Sequence, residues 1–199
     1  MSPRGVAIPD LRERLFDAAE RVLAREGPAA LTSRAITGEA GCAKGLLHAH
    51  FDGLDEFVAE LCLSRFARTA QEAGELPGRA GHATVTDNLT AAALALLTSL
   101  DPAVIGVTMT RPATFLRVRQ ALAGGAPGFT AIQDAINAYL EAEQRLGRIA
   151  DSTDTTSVAL ALVGTVHHLL MTSWSGTLDP QDQAKRLVAL LVDADPSGS

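Results

Sequence analysis

An all-α protein is predicted, with an N-terminal three-helix unit joined by a long helix to a larger helical body. Three observations lead there. Hydrophobic residues make up 47% of the 199-residue chain while aromatics make up only 4%, and a core of mostly Ala, Leu and Val suits close helix packing better than sheets, which favour β-branched and aromatic residues. Apolar residues recur three and four apart in most segments, whereas the two-residue alternation of a half-buried strand is absent. Gly, Pro and capping residues then divide those segments into helices.

Residues 1–9 form a loose arm, and Asp10 with Glu13 has the spacing of a capping box. The first helix runs from Asp10 to Glu26, burying Leu15, Ala18, Ala19, Val22 and Leu23 and stopping at Gly27-Pro28. Thr32 caps a short helix that turns Ile36 and Ala40 inward and ends at Gly41. A second short helix covers Lys44 to Phe51, with Leu47 and Phe51 on one face. Helices this short are unstable alone, so both must pack on the first helix and on the next, which Asp52 caps and which ends near Gly74. Further helices are placed at 84–100, 102–110, 113–123, 129–147, 153–175 and 179–192, with a break at Pro112 and a loop at 124–128. No internal repeat is present.

Composition excludes several classes of function. A net charge of −6 argues against coating nucleic acid or anionic membranes by bulk electrostatics, though not against local binding. Two cysteines, Cys42 and Cys62, and no apolar leader suggest a reducing cytoplasm. The longest apolar stretch, Val158 to Val166, is shorter than the ~20 residues of a membrane span, so a soluble chain is expected. Phosphate-loop, nucleophile-elbow and zinc-ligand motifs are absent, and Glu141 and Glu143 diverge on a helix, so no enzyme, cofactor or metal site is expected. His167 and His168 point about 100° apart, which suits a single buried, hydrogen-bonded histidine better than chelation.

Two short helices joined through Gly41-Cys42-Ala43 form a helix-turn-helix, whose second helix enters the DNA major groove. The stretch Leu31 to Phe51, with Thr32 and Ile36, Ala40-Gly41, Lys44-Gly45, Leu47 and His50-Phe51 at fixed spacing, resembles the N-terminal domain of the TetR family of bacterial transcriptional regulators. That resemblance covers residues 11–63 by motif. It implies a DNA-binding domain over residues 1–52 and a ligand-binding and dimerisation domain over residues 53–199. The implied DNA contacts are Thr32, Ser33, Arg34, Ala43, Lys44, Gly45, Leu46, His48 and His50, with Arg4 on the arm a candidate for the minor groove. His48 stands where the family usually has a phosphate-binding Tyr, Leu46 where Thr is frequent, and Leu54 where Lys is frequent. Seven basic against ten acidic residues precede position 61, so weak non-specific binding and reliance on a dimer are expected.

The family's last two helices pair with their symmetry mates. Residues 158–171, apolar nearly all round, and a final helix with Ala184, Leu187, Val188 and Leu191 on one face agree with that. Leu160, Gly164, His168, Met171, Leu187 and Leu191 are the expected dimer contacts. A mostly apolar small-molecule effector would meet Leu94, Thr98, Met109, Phe115, Tyr139 and Trp174, which mix apolar, aromatic and hydroxyl groups. The predicted function is a homodimeric repressor released from a palindromic DNA operator by that effector. The alternative is a helical ligand-binding or protein-interaction module with little DNA affinity.

Overall fold

The computed structural model describes residues 11–99, 101–172 and 179–193, so Arg4, Asp10 and Trp174 lie outside the described residues. Within them are helices α1 (Leu11–Glu26), α2 (Ser33–Glu39), α3 (Leu46–His50), α4 (Leu54–Ala73), α5 (Val85–Ser99), α6 (Pro102–Thr110), α7 (Pro112–Ala123), α8 (Phe129–Arg145), α9 (Thr155–Thr172) and α10 (Pro180–Asp193), two short 3₁₀ turns, and no strand. The all-α reading holds, and the departures from it lie at helix ends.

The chain packs as two compact units: residues 1–62 with 103–119, and residues 63–102 with 120–199. The first unit takes in most of α6 and α7. Leu15, Phe16, Ala18, Ala19, Val22 and Leu23 of α1, Ile36 of α2, Leu47 of α3 and Phe57, Val58 and Leu61 of α4 are all buried. Phe16, Phe51 and Phe57 form an aromatic trio with centroids 6.0, 5.4 and 5.0 Å apart. These contacts provide the packing that short α2 and α3 require.

Local chemistry sets the ends of these helices. The Thr32 hydroxyl accepts a hydrogen bond from the Ala35 N–H at 3.1 Å, as an N-cap should. At the other end of α2, Gly41 adopts φ +63° and the Cys42 N–H bonds back to the Thr37 carbonyl at 3.0 Å. Two expectations are corrected. The second short helix is limited to Leu46–His50, because Ala43 to Gly45 form a tight turn in which the Leu46 N–H bonds to the Ala43 carbonyl at 2.9 Å. Asp52 does not cap α4 with its side chain: Gly53 intervenes at φ +96°, α4 starts at Leu54, and the Glu56 carboxylate reaches back to accept the Asp52 N–H.

In the second unit α5, α8, α9 and α10 pack around Leu89, Ala93, Ile132, Ile136, Tyr139, Leu140, Leu162, Val166, Ala184 and Val188. Asp154 caps α9, accepting the Ser157 N–H at 3.1 Å and its hydroxyl at 2.6 Å, which holds its carboxyl below the usual range. By length and hydropathy α9 could cross a membrane, with 18 residues at mean hydropathy 1.3. Its Ala159, Leu162, Val163, Val166, Leu169 and Leu170 are instead buried against neighbouring helices, the position of a core helix. His167 and His168 are both exposed, which corrects the expectation that one would be buried; His167 stacks edge-on against Phe129 at 4.7 Å.

Candidate functional site

The helix-turn-helix is built from the inside outward. Ile36, Thr37 and Leu47 are fully buried, and the Thr37 hydroxyl donates to the Ser33 carbonyl at 2.8 Å. With those side chains anchored inward, α2, the turn and α3 present their other faces to solvent. Thr32, Arg34, Ala43, Lys44, Gly45, His48 and His50 are exposed, while Ser33 and Leu46 are half-buried. The nine residues expected to meet DNA therefore lie on helices and a turn of one packed unit, seven of them open to water. Around Gly45 there is open space where a side chain would stand.

Charge on this unit is distributed unevenly. Arg21 and Arg25 of α1 converge on Glu39 of α2 at 2.8 and 3.0 Å. These hydrogen bonds hold the Glu39 carboxyl below its ordinary range. Arg12 pairs with Glu60 and lies 4.8 Å over the Phe51 ring, and Arg14 donates to the Ala40 carbonyl at 3.1 Å. Within residues 11–62 only Arg34 and Lys44 among the described cations lack an acidic or carbonyl partner. Both sit on the outer face of the helix-turn-helix. Free guanidinium and ammonium groups on an exposed helical face are what phosphate contact needs. The same unit holds Arg111 against Asp55 at 2.6 Å, with the Thr114 hydroxyl also bonded to that carboxylate at 3.2 Å. The Arg111 contact pulls the Asp55 carboxyl below its usual range.

Residues 15–61 match the model of the bacterial regulatory proteins, tetR family. These residues form a TetR-type N-terminal domain. The fold of the whole chain recurs along nearly the full length of solved regulators. A putative TetR-family transcriptional regulator from Mesorhizobium loti superposes with a TM-score of 0.72 at 15% identity, covering 96% of each chain. The regulator FadR from Bacillus subtilis, solved in complex with stearoyl-CoA, gives 0.64 at 16% identity over 90% of this chain and 97% of that one. SmeT, repressor of the Stenotrophomonas maltophilia multidrug efflux pump SmeDEF, gives 0.59 at 18% identity over 92% and 89%. At such identities the likeness carries the fold. No curated protein sequence matches this chain.

The other sequence-derived sites are dispersed. Met109 and Phe115 belong to the first unit, exposed by 57% and 36%, whereas Leu94, Thr98 and Tyr139 belong to the second. Tyr139 is fully buried, its hydroxyl accepting from the Asn88 amide at 3.0 Å, and burial pushes its pKa up to about 12. Thr98 lines a small cavity with Leu97, Leu169 and Leu170. The second unit holds a cavity of about 210 Å³ along α4, α5 and α8, lined by Thr69, Glu72, Arg79, Ala92, Leu96 and Ile136 among others. On α9, Leu160, Gly164 and His168 are exposed and Met171 is half-buried, four positions spaced along one face. On α10, Leu187 and Leu191 are half-buried, and Leu190, which the spacing argument passed over, is 66% exposed.

One constellation lies outside the sites expected from the sequence. Glu143 is fully buried and pairs with Arg148 at 3.3 Å; both its oxygens lie 3.3 Å from the Gly81 N–H, and Tyr139 is also hydrogen-bonded to it. Arg148 in turn donates to the Ala83 carbonyl. A Glu on the inward face of an amphipathic helix, with an Arg five residues later, is the pattern that could have pointed to it.

Proposed function

We propose that this protein is a TetR-type transcriptional regulator, a homodimeric repressor that binds a palindromic operator and is released from it by a mostly apolar small molecule. The observation that carries the DNA role is the pair of unpartnered cations, Arg34 and Lys44, on the solvent face of a TetR-type helix-turn-helix. Thr32, Ser33, Ala43, Gly45, His48 and His50 surround them as candidate phosphate and backbone contacts, and Leu46 can touch a thymine methyl. Because Arg12, Arg14, Arg21 and Arg25 are engaged within the unit, few cations remain for the backbone of DNA. Affinity then depends on two reading heads engaging half-sites about 34–36 Å apart or a multiple of it.

The dimer rests on the outward stripe of α9 (Leu160, Gly164, His168, Met171) together with Leu187 and Leu190 of α10, helices whose far sides are already buried in their own unit. Introducing Glu at Leu160 and Leu190 together is expected to yield a folded monomer in analytical ultracentrifugation; an unchanged dimer would place the interface elsewhere. Effector control is a coupling between sites. A ligand in the cavity that α4 shares through Thr69, Glu72 and Ala73 weakens DNA by the factor by which DNA weakens the ligand.

The test is selection of duplexes from a random pool at stated salt, followed by titration of the enriched site. Lys44→Ala is expected to weaken binding and reduce the slope of log affinity against log salt by about 1, with the thermal midpoint unchanged. Equal affinity in the folded variant would remove Lys44 from the interface. A second reading, a ligand-binding or interaction module with little DNA affinity, is favoured by the acidic balance of residues 1–60 and by Leu46 and Leu54. A folded dimer that enriches no duplex would select it.

A further inference from the structure

Apart from the cavity along α4, the second unit contains a larger one of about 410 Å³, walled by Leu89 of α5, Leu140 of α8, Val158 of α9 and Leu191 and Val192 of α10, and closed by the 148–153 loop. Its size falls within the ~300–1,000 Å³ of small-molecule sites. The walls are aliphatic. The polar groups come from one side, where Arg148, Ser152 and Thr153 line the cavity.

Arg148 is held in place before any ligand arrives. Its Nε lies 3.3 Å from the buried Glu143 carboxylate and its Nη2 donates to the Ala83 carbonyl, while Nη1 has no partner among the described residues. The loop carrying Ser152 and Thr153 is fixed too: the Gln144 amide donates to the Ala150 carbonyl at 2.8 Å and to the Thr153 carbonyl at 3.2 Å. An immobilised guanidinium with spare donors, flanked by two hydroxyl-bearing residues at the end of an aliphatic slot, matches a ligand with one anionic oxygen group and an alkyl body.

We infer that this cavity is a binding site for amphipathic carboxylates, with the headgroup at Arg148, Ser152 and Thr153 and the chain between α5, α8, α9 and α10. The site is separate from the α4 cavity and makes no use of the DNA-binding face. The inference therefore goes beyond the proposed function, and its readout does not involve an operator.

Octanoate titrated calorimetrically into the full-length protein is the probe, with octanol as the uncharged molecule of the same length. Saturable octanoate binding is expected, with octanol about tenfold weaker, the difference a charged hydrogen bond makes. Val158→Trp, which fills the slot, should abolish binding. Ala92→Trp, in the α4 cavity, should leave it unchanged. Arg148→Lys keeps a cation against Glu143 but loses the fork, and should bring octanoate about tenfold down towards octanol; this variant decides the matter if Val158→Trp does not fold. Absence of saturable binding to the wild-type protein, equal affinity for octanol, loss of binding in folded Ala92→Trp, or full affinity in folded Val158→Trp or Arg148→Lys would each overturn the assignment.

Discussion

Arg148→Met is expected to destabilise the second unit by about 3 kcal/mol, because losing the partly exposed guanidinium leaves the fully buried Glu143 carboxylate without its cation. Glu143 has no exposed surface, and Arg148 is its only cationic partner among the described residues, at 3.3 Å. The Gly81 N–H and the Tyr139 hydroxyl remain to it after the substitution, but neither carries a charge. The same substitution strips the Ala83 carbonyl of its donor, in a residue held at φ +51°. Urea unfolding monitored by circular dichroism would read the loss. Removing both partners, as Glu143→Leu with Arg148→Met, should recover most of it, since an apolar pair of similar volume leaves no orphan charge. A loss under about 1 kcal/mol for the single variant would mean that water reaches the Glu143 carboxylate.

Phe57→Ala should cost a similar amount, about 3–5 kcal/mol, as a large-to-small change in a closed core. Phe57 is fully buried and its ring stands 5.4 Å from Phe16 and 5.0 Å from Phe51, joining α1, the end of α3 and α4. Since α3 is five residues long and cannot persist without that packing, amide hydrogen exchange should show protection lost across 46–51, and DNA binding should fall with it. Phe57→Leu keeps most of the volume and should cost under about 1.5 kcal/mol. Leu116, 53% exposed, offers the contrast: its replacement by Ala should move stability by no more than about 0.5 kcal/mol.

The helices were legible in the sequence because their determinants are local. Thr32 accepts the Ala35 N–H whatever lies beyond it, Gly41 takes the positive φ that closes α2, and Pro102 and Pro112 each open a helix as a residue without a free N–H should. The buried face of α1 followed from spacing alone. So did the location of the reading head, since the motif from Thr32 to Phe51 joins local caps to two inward anchors, Ile36 and Leu47. Where a local rule had competing solutions, as at Asp52, the chain used the other one: Glu56 reaches back across Gly53 to the Asp52 N–H.

What only the tertiary structure decided is the company that polar side chains keep. Arg111 and Asp55 are 56 positions apart, and Glu143 and the Gly81 N–H are 62 apart; no pattern of period two or 3.6 reaches so far. Glu39 could as well have been a solvated acid, yet it holds Arg21 and Arg25 and so leaves two surface cations paired. The same holds for membership of the units, where residues 103–119 join residues 1–62 across the intervening helix α5. Cavities follow this rule as well, for their walls come from helices far apart in the chain. By itself the sequence determined the helical class, the helix-turn-helix and its exposed face, because hydrogen bonds within a turn and burial of one helical face are settled over a few residues. Which charges are buried, paired or left free depends on which helices come to lie side by side, and packing alone settles that.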